Sequence, residues 1–220
     1  MKQVMPMKKK QLNLSAQEIN RIIAEQNRAR LTDNHIFTVN IIGSPGCGKT
    51  SILEYTANHF DGNFAVIIGD VKTALDKDRI IQSGHKNAYA IETGGGCHLS
   101  AKMIQQKLEE IDLTDIDYLF IENVGNLVCP SSYDLGENLK IAVLSIPEGD
   151  EKVRKYPALF IRAVAVIINK IDLLAVMDYD IQRVKADCLA HNPGVKIFET
   201  SAKTGQGFDE WFKFLKAAKP

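Results

Sequence analysis

The sequence predicts an α/β protein: a mostly parallel, doubly wound sheet of about seven strands with helices on both faces. Two observations carry this. Short runs of continuous apolar, β-branched residues alternate with segments of helical period, the pattern of strands buried on both faces and joined by crossover helices. A glycine-rich octet, "GSPGCGKT" at 43–50, follows the first such run and opens the first helix after it.

In order, "SAQEINRIIAEQNRAR" begins with Ser15 and has Glu18 three residues on, a capping box that predicts a helix over 16–30. Strands are expected at 36–42, 64–69, 88–91, 117–122, 140–146, 163–169 and 195–200. Helices are expected in "KTSILEYTANHF", "LSAKMIQQKLEE", "DIQRVKADCLAHN" and "GFDEWFKFLKAA". The division is then a basic tail and helix over 1–35, and one α/β domain over 36–220. A chain of 220 residues has room for one such domain.

Bulk properties mainly exclude. Lys+Arg and Asp+Glu both number 27, so no net charge draws the chain to nucleic acid or an anionic membrane. Apolar runs such as "AVAVII" are too short to span a bilayer, and the basic start "MKQVMPMKKK" is followed by no apolar stretch of a secretory signal. Four cysteines do not make a disulfide framework, and a reducing, cytoplasmic setting is expected.

The octet fits the P-loop pattern G-x-x-x-x-G-K-[ST] in its proper strand-to-helix context, which makes the expected fold that of a P-loop NTPase. Backbone N–H groups around Gly43, Gly46 and Gly48 can wrap phosphates at the helix N-terminus, continuing through Ser51. Lys49 is placed to neutralise the β- and γ-oxygens and Thr50 to offer its hydroxyl to Mg²⁺. "NKID" at 169–172 selects the base: the Asp172 carboxylate can accept from guanine N1–H and the 2-amino group, whereas adenine offers neither donor. Asn169 and Lys170 complete that motif, and "SAK" at 201–203 brings Ser201, Ala202 and Lys203, the Ala202 N–H being read as a donor to guanine O6. The nucleotide is expected to be GTP or GDP.

Asp70 and Glu122 each end a strand where Mg²⁺ needs acidic oxygens, although an ordinary strand-end acid fits both as well. Gly125, three residues after Glu122, stands where a glycine N–H senses the γ-phosphate. Cys97 and His98 follow three glycines, and Cys129 lies just beyond Gly125. Two thiolates and an imidazole suit Zn²⁺ or Ni²⁺, with water or a second copy completing the coordination. A core thiol at Cys129 and a helix-capping His98 would explain the same residues. Cys47 and Cys188 read as structural.

Taken together, "GSPGCGKT", "ETGGGCHLSA", "LFIENVGNLVCPSSYDLGE", "EGDEKVRKYP", "VIINKIDLL" and "SAKTGQGFDEW" resemble the HypB family of hydrogenase maturation GTPases, from about 36 to 216. The resemblance implies a slow GTPase that delivers nickel to a hydrogenase large-subunit precursor. It implies a homodimer when GTP is bound, a companion nickel-binding maturation protein, and Cys97, His98 and Cys129 as nickel or zinc ligands at the dimer interface. The alternative is a GTP-controlled metal-binding dimer serving urease or another nickel enzyme, with hydrolysis secondary. Some relatives carry an N-terminal cysteine motif or histidine-rich stretch; "MKQVMPMKKKQLNL" has neither, so only the GTPase-domain site is expected to handle nickel. Thr73 and Asp78 fall in an expected switch segment at 69–80. The cations of 148–157 are read either as reaching a nucleotide on the facing subunit or as a charged loop. A switch is expected in which the path from Gly125 to Cys129 links γ-phosphate to metal, with glycines 94–96 as the hinge.

Overall fold

The computed structural model describes residues 14–70, 80–82 and 87–220. Residues 1–13, and the expected switch positions Thr73 and Asp78, lie outside them.

The seven strands are β1 (Phe37–Gly43), β2 (Phe64–Asp70), β3 (Ala88–Glu92), β4 (Tyr118–Glu122), β5 (Leu139–Ser145), β6 (Ala165–Asn169) and β7 (Lys196–Glu199). They form one sheet in the order β3-β2-β4-β1-β5-β6-β7, and all six pairings are parallel. The helices are α1 (Ala16–Asp33), α2 (Lys49–His59), α3 (Ala101–Leu108), α4 (Lys152–Lys155), α5 (Pro157–Arg162), α6 (Ile181–His191) and α7 (Phe208–Ala218). The expected doubly wound fold is borne out. β1 is central, with later strands laid down on both sides of it, so its carboxyl end is the switch point where such sheets bind ligands.

All seven residues of β1 are buried. Val39 and Ile41 enter one core with Ile52, Phe120, Phe208 and Trp211 of α2, β4 and α7. On the side of α1 and α3, Leu31, Ile104, Leu108, Leu119 and Ile121 pack together. The face beyond β5 and β6 is closed by Leu159, Phe160 and Val184. Burying side chains of this size contributes about 1.5–3 kcal/mol each.

The Ser15 capping box is present, with Glu18 Oε2 accepting from the Ser15 N–H at 2.7 Å, and α1 runs three residues past its expected end. α3 starts later than expected because Ser100 caps it, accepting from the Met103 N–H, so His98 is not the cap. α5, unforeseen in the sequence, begins on Pro157, which fits the first turn of a helix but disfavours helical backbone at Tyr156 before it, ending α4.

Candidate nucleotide and metal sites

The P-loop leaves β1 at Gly43, turns through left-handed backbone at Gly46 and Gly48, and enters α2 at Lys49. Lys49 is buried, with Nζ donating to the Gly43 and Ser44 carbonyls at 3.3 Å each. The Thr50 hydroxyl donates to Glu122 Oε1 at 3.0 Å, and both residues are buried. A hydroxyl and a carboxylate meeting at a strand edge form a hard-oxygen pair of the kind that suits Mg²⁺. Asp70 ends β2 two residues beyond Ile68, the register partner of Glu122.

Gly125 belongs to this site by close approach. A Cβ there would fall 2.7 Å from Pro45 Cγ and 3.0 Å from Pro45 N, so only glycine lets the loop after β4 lie against the P-loop.

On the other side of β1, Asn169 joins three segments. Its Nδ2 donates to the Cys47 carbonyl at 3.1 Å, and its Oδ1 accepts from the Ala202 N–H at 3.2 Å and the Thr200 hydroxyl at 3.4 Å. Lys170 Nζ donates to the Gly46 carbonyl at 2.6 Å. The buried Ser201 hydroxyl donates to Asp172 Oδ1 at 2.6 Å, orienting the carboxylate. The sequence therefore named these residues but not their division of labour. The Ala202 N–H, read as a guanine donor, is here held by Asn169, and Ser201 acts on Asp172. Ser51, Asn169, Lys170, Asp172, Ala202 and exposed Lys203 line a cavity of about 510 Å³ beside the P-loop.

The cysteines divide by burial. Cys47 and Cys188 are wholly buried, and burial pushes their thiols up to about 11 and about 12. Cys97 is exposed, and Cys129, at the start of the 3₁₀ turn Cys129–Ser132, is partly so. Together with His98 they bring one ligand atom each to within 4.8 Å of one another, a group that could hold a metal ion. Cys97 Sγ lies 3.5 Å from His98 Nδ1. A hydrogen bond with Cys129, then burial, hold the Cys97 thiol above its ordinary value; a cation between the two sulfurs would reverse that balance. Burial lowers His98 and favours the neutral imidazole, the form that ligates metal.

The loops carrying these ligands are tied to the nucleotide side. Asn123, next to Glu122, accepts the Leu99 N–H at 3.2 Å on its Oδ1, just past His98. Asn126 Nδ2 donates to the Cys97 carbonyl at 3.2 Å. Before the ligands, Gly94 and Gly95 adopt positive φ.

The cations of 148–157 are engaged within the chain: Arg154 pairs with Asp187 at 2.7 Å, Lys155 with Glu151 at 2.6 Å and Lys152 with Glu148 at 3.9 Å. Arg183 closes the same surface on Asp150. Among the described residues, no helix is long and apolar enough to cross a membrane.

The family model for the CobW/HypB/UreG nucleotide-binding domain matches residues 37–199. Hydrogenase maturation factor HypB of Escherichia coli K12 is 42% identical over 202 residues, 91% of this chain and 69% of that protein. Hydrogenase/urease maturation factor HypB of Helicobacter pylori J99 is 42% identical over 204 residues, 91% and 84% of the two chains. Among solved structures, HypB from Helicobacter pylori in complex with nickel superposes with a TM-score of 0.88 at 41% identity, covering 91% of this chain and 95% of that one. HypB from Archaeoglobus fulgidus gives 0.82 at 40% identity, covering 92% and 99%. A LAO/AO transport system kinase, at 0.53 and 16% identity, shares the fold alone.

Proposed function

The chain belongs to the HypB hydrogenase maturation factors of the CobW/HypB/UreG family, and from that premise we propose that it is a GTP-hydrolysing metallochaperone for nickel. Its acceptor is the large-subunit precursor of a nickel–iron hydrogenase, in the cytoplasm, with a companion nickel-binding maturation protein. The observation that carries the reading is the meeting of two sites in one loop. Glu122 faces Thr50, Gly125 lies on Pro45, and Cys129 follows four residues later beside Cys97 and His98.

In this reading Lys49 and the backbone N–H groups around Gly43, Gly46 and Gly48 hold the phosphates, with Ser51 beside them. Asp172, aimed by Ser201, accepts from guanine, while Asn169, Lys170, Ala202 and Lys203 close the base site. Thr50 and Glu122, with Asp70 at the end of β2, would hold Mg²⁺, and the ion would supply charge neutralisation at the transferred phosphoryl group. Catalysis by the chain itself is positioning and charge neutralisation by Lys49 and backbone donors, with Gly125 reporting the γ-phosphate. Nickel is cargo on Cys97, His98 and Cys129, and zinc fits the same donors. Val128, 57% exposed beside Cys129, and exposed Cys97 support a ligand set that a second copy covers when GTP is bound. Coupling is reciprocal: if GTP changes nickel affinity, nickel changes GTP affinity by the same factor.

The test is titration of the full chain with Ni²⁺, in GDP and in a non-hydrolysable GTP analogue, with mass followed in parallel. A nucleotide-dependent affinity, lost in Cys129→Ala, is the expected result. Metal binding indifferent to both nucleotide and Cys129 would sink the reading. A second acceptor, urease, is favoured by the dual name of the Helicobacter pylori relative. A variant that binds GTP without hydrolysing it, and still loads the acceptor, would make hydrolysis secondary.

A further inference from the structure

α1 lies outside residues 37–199, the part of the chain the family model matches, yet three of its polar side chains, Asn20, Asn27 and Arg28, bond the segments that follow the metal ligands. Asn27 is 1% exposed, and its Nδ2 donates to the Ala101 carbonyl at 2.8 Å and the Leu135 carbonyl at 3.0 Å. Asn20, one face-length earlier on the helix, accepts the Ala101 N–H at 2.8 Å and donates to the Asp134 carbonyl at 2.8 Å. Each amide therefore bridges the same two segments. Ala101 is three residues past His98, and Asp134 and Leu135 follow Cys129 by five and six.

Two further contacts fix the second segment. Arg28 Nη2 donates to both Asp134 carboxylate oxygens at 2.8 Å. Gly136 comes so close that a Cβ there would meet the Ala24 carbonyl at 2.8 Å and the Arg28 N at 2.9 Å. Between this anchor and the ligands stands Tyr133, whose ring lies on the His98 imidazole with centroids 3.9 Å apart. A helix position given to a buried asparagine forfeits apolar packing and is tolerated only where the amide is matched, so four matched bonds mark a specific join.

We propose that Asn20 and Asn27 of α1 are positioning residues for the metal site: their amides hold the Cys97–His98 loop and the Cys129–Tyr133 segment at ligand distance. The N-terminal helix is then the outer support of the metal centre. The proposal rests on the reading of Cys97, His98 and Cys129 as metal ligands given above.

The test uses the full chain carrying Asn20→Leu with Asn27→Leu, which keeps shape and removes the amides. Arg28→Met is the milder second variant, since it alters a half-exposed side chain. Leu31→Ala, a loss of apolar packing from the same helix, controls for destabilisation. Without metal, the readout is the rate at which dibromobimane bridges Cys97 to Cys129, Cys47 and Cys188 being buried. With metal, it is Ni²⁺ affinity and the thiolate-to-nickel charge-transfer band. The amide variant is expected to bridge slowly, to bind Ni²⁺ about tenfold more weakly with a shifted band, and to keep its GDP affinity. Arg28→Met is expected to move the same readouts less. Wild-type rates and affinity in the amide variant, or equal losses in Leu31→Ala, would overturn the proposal. Rapid bridging in the wild type without nickel binding would refute the metal reading instead, and slow bridging in the amide variant would still uphold the join.

Discussion

The two sites share one sheet edge and are built in opposite ways. The nucleotide site is internal and cross-tied: Lys49, Thr50, Glu122, Asn169 and Ser201 are all buried, and Asn169 alone joins the P-loop to the segment at 200–202. The metal group is superficial, with an exposed thiol and three ligands on loops tied down from outside, by amides of Asn123, Asn126 and α1 and by the Arg28 and Lys140 cations. A cross-tied pocket with a buried floor suits a ligand bound the same way each time. A shallow set of three described ligands would suit the cargo proposed above.

Four measurements sharpen or break that contrast. The largest effect is expected at Asp172. Asp172→Ala removes the acceptor held by Ser201. It should reduce the preference for GDP over ADP by up to about 10⁴-fold in competition binding, roughly what a site built around such polar pairing achieves. Unchanged selectivity would mean that the cavity beside it does not read the base. Next, Cys129→Ala should weaken Ni²⁺ by at least about 100-fold, beyond what outer-shell losses usually cost, while GDP binding stays as it was. A matching loss of GDP affinity would erase the distinction between the two regions.

Third, Gly125→Ala pushes the Cβ against Pro45 and should cost about 1–3 kcal/mol in denaturant unfolding, with weaker GDP binding. It should also alter Ni²⁺ affinity; if it leaves the metal untouched, the loop does not connect the sites. The smallest effect belongs to Arg28→Ala. Burial would raise the Asp134 carboxyl, but the Arg28 guanidinium and the Gly136 N–H outweigh it and hold it below the usual range. A depressed carboxylate stabilises the fold above its unfolded value and loses that contribution as pH falls through the folded one. The variant should therefore be less stable by about 1 kcal/mol or less near neutrality, since the pair is half-exposed and screened. The difference should shrink below about pH 4, as urea melts across pH would record.

What could be read from the sequence follows the same contrast. Strands declared themselves as apolar runs, and the nucleotide motifs as fixed local spacings, because a tight turn or cap is decided by neighbours. Asn20 and Asn27 belong to no local motif. Their partners lie 74 to 114 positions away, and no local pattern announces them. Asn40, inside buried β1, was likewise silent, although its amide donates to Glu137 at 3.2 Å and accepts from Asn123 at 3.2 Å. Tyr133 was legible only as part of a quoted motif. The short α5 had too few turns to show a period.

The order of the sheet also sets a timetable for synthesis. β1 waits for β4 and β5 to flank it, and the base site waits for Asn169 and Ser201. The hydrogen bonds that hold the loops around Cys97 and Cys129, with α1 beneath them, reach along the chain as far as Arg162, which donates to the Ser131 carbonyl at 3.1 Å, still short of Asn169. As a nascent chain emerges N-terminus first, the thiol cluster can be in place before guanine can be recognised at all. The growing protein would then present soft ligands for a period without the nucleotide that is proposed to govern them.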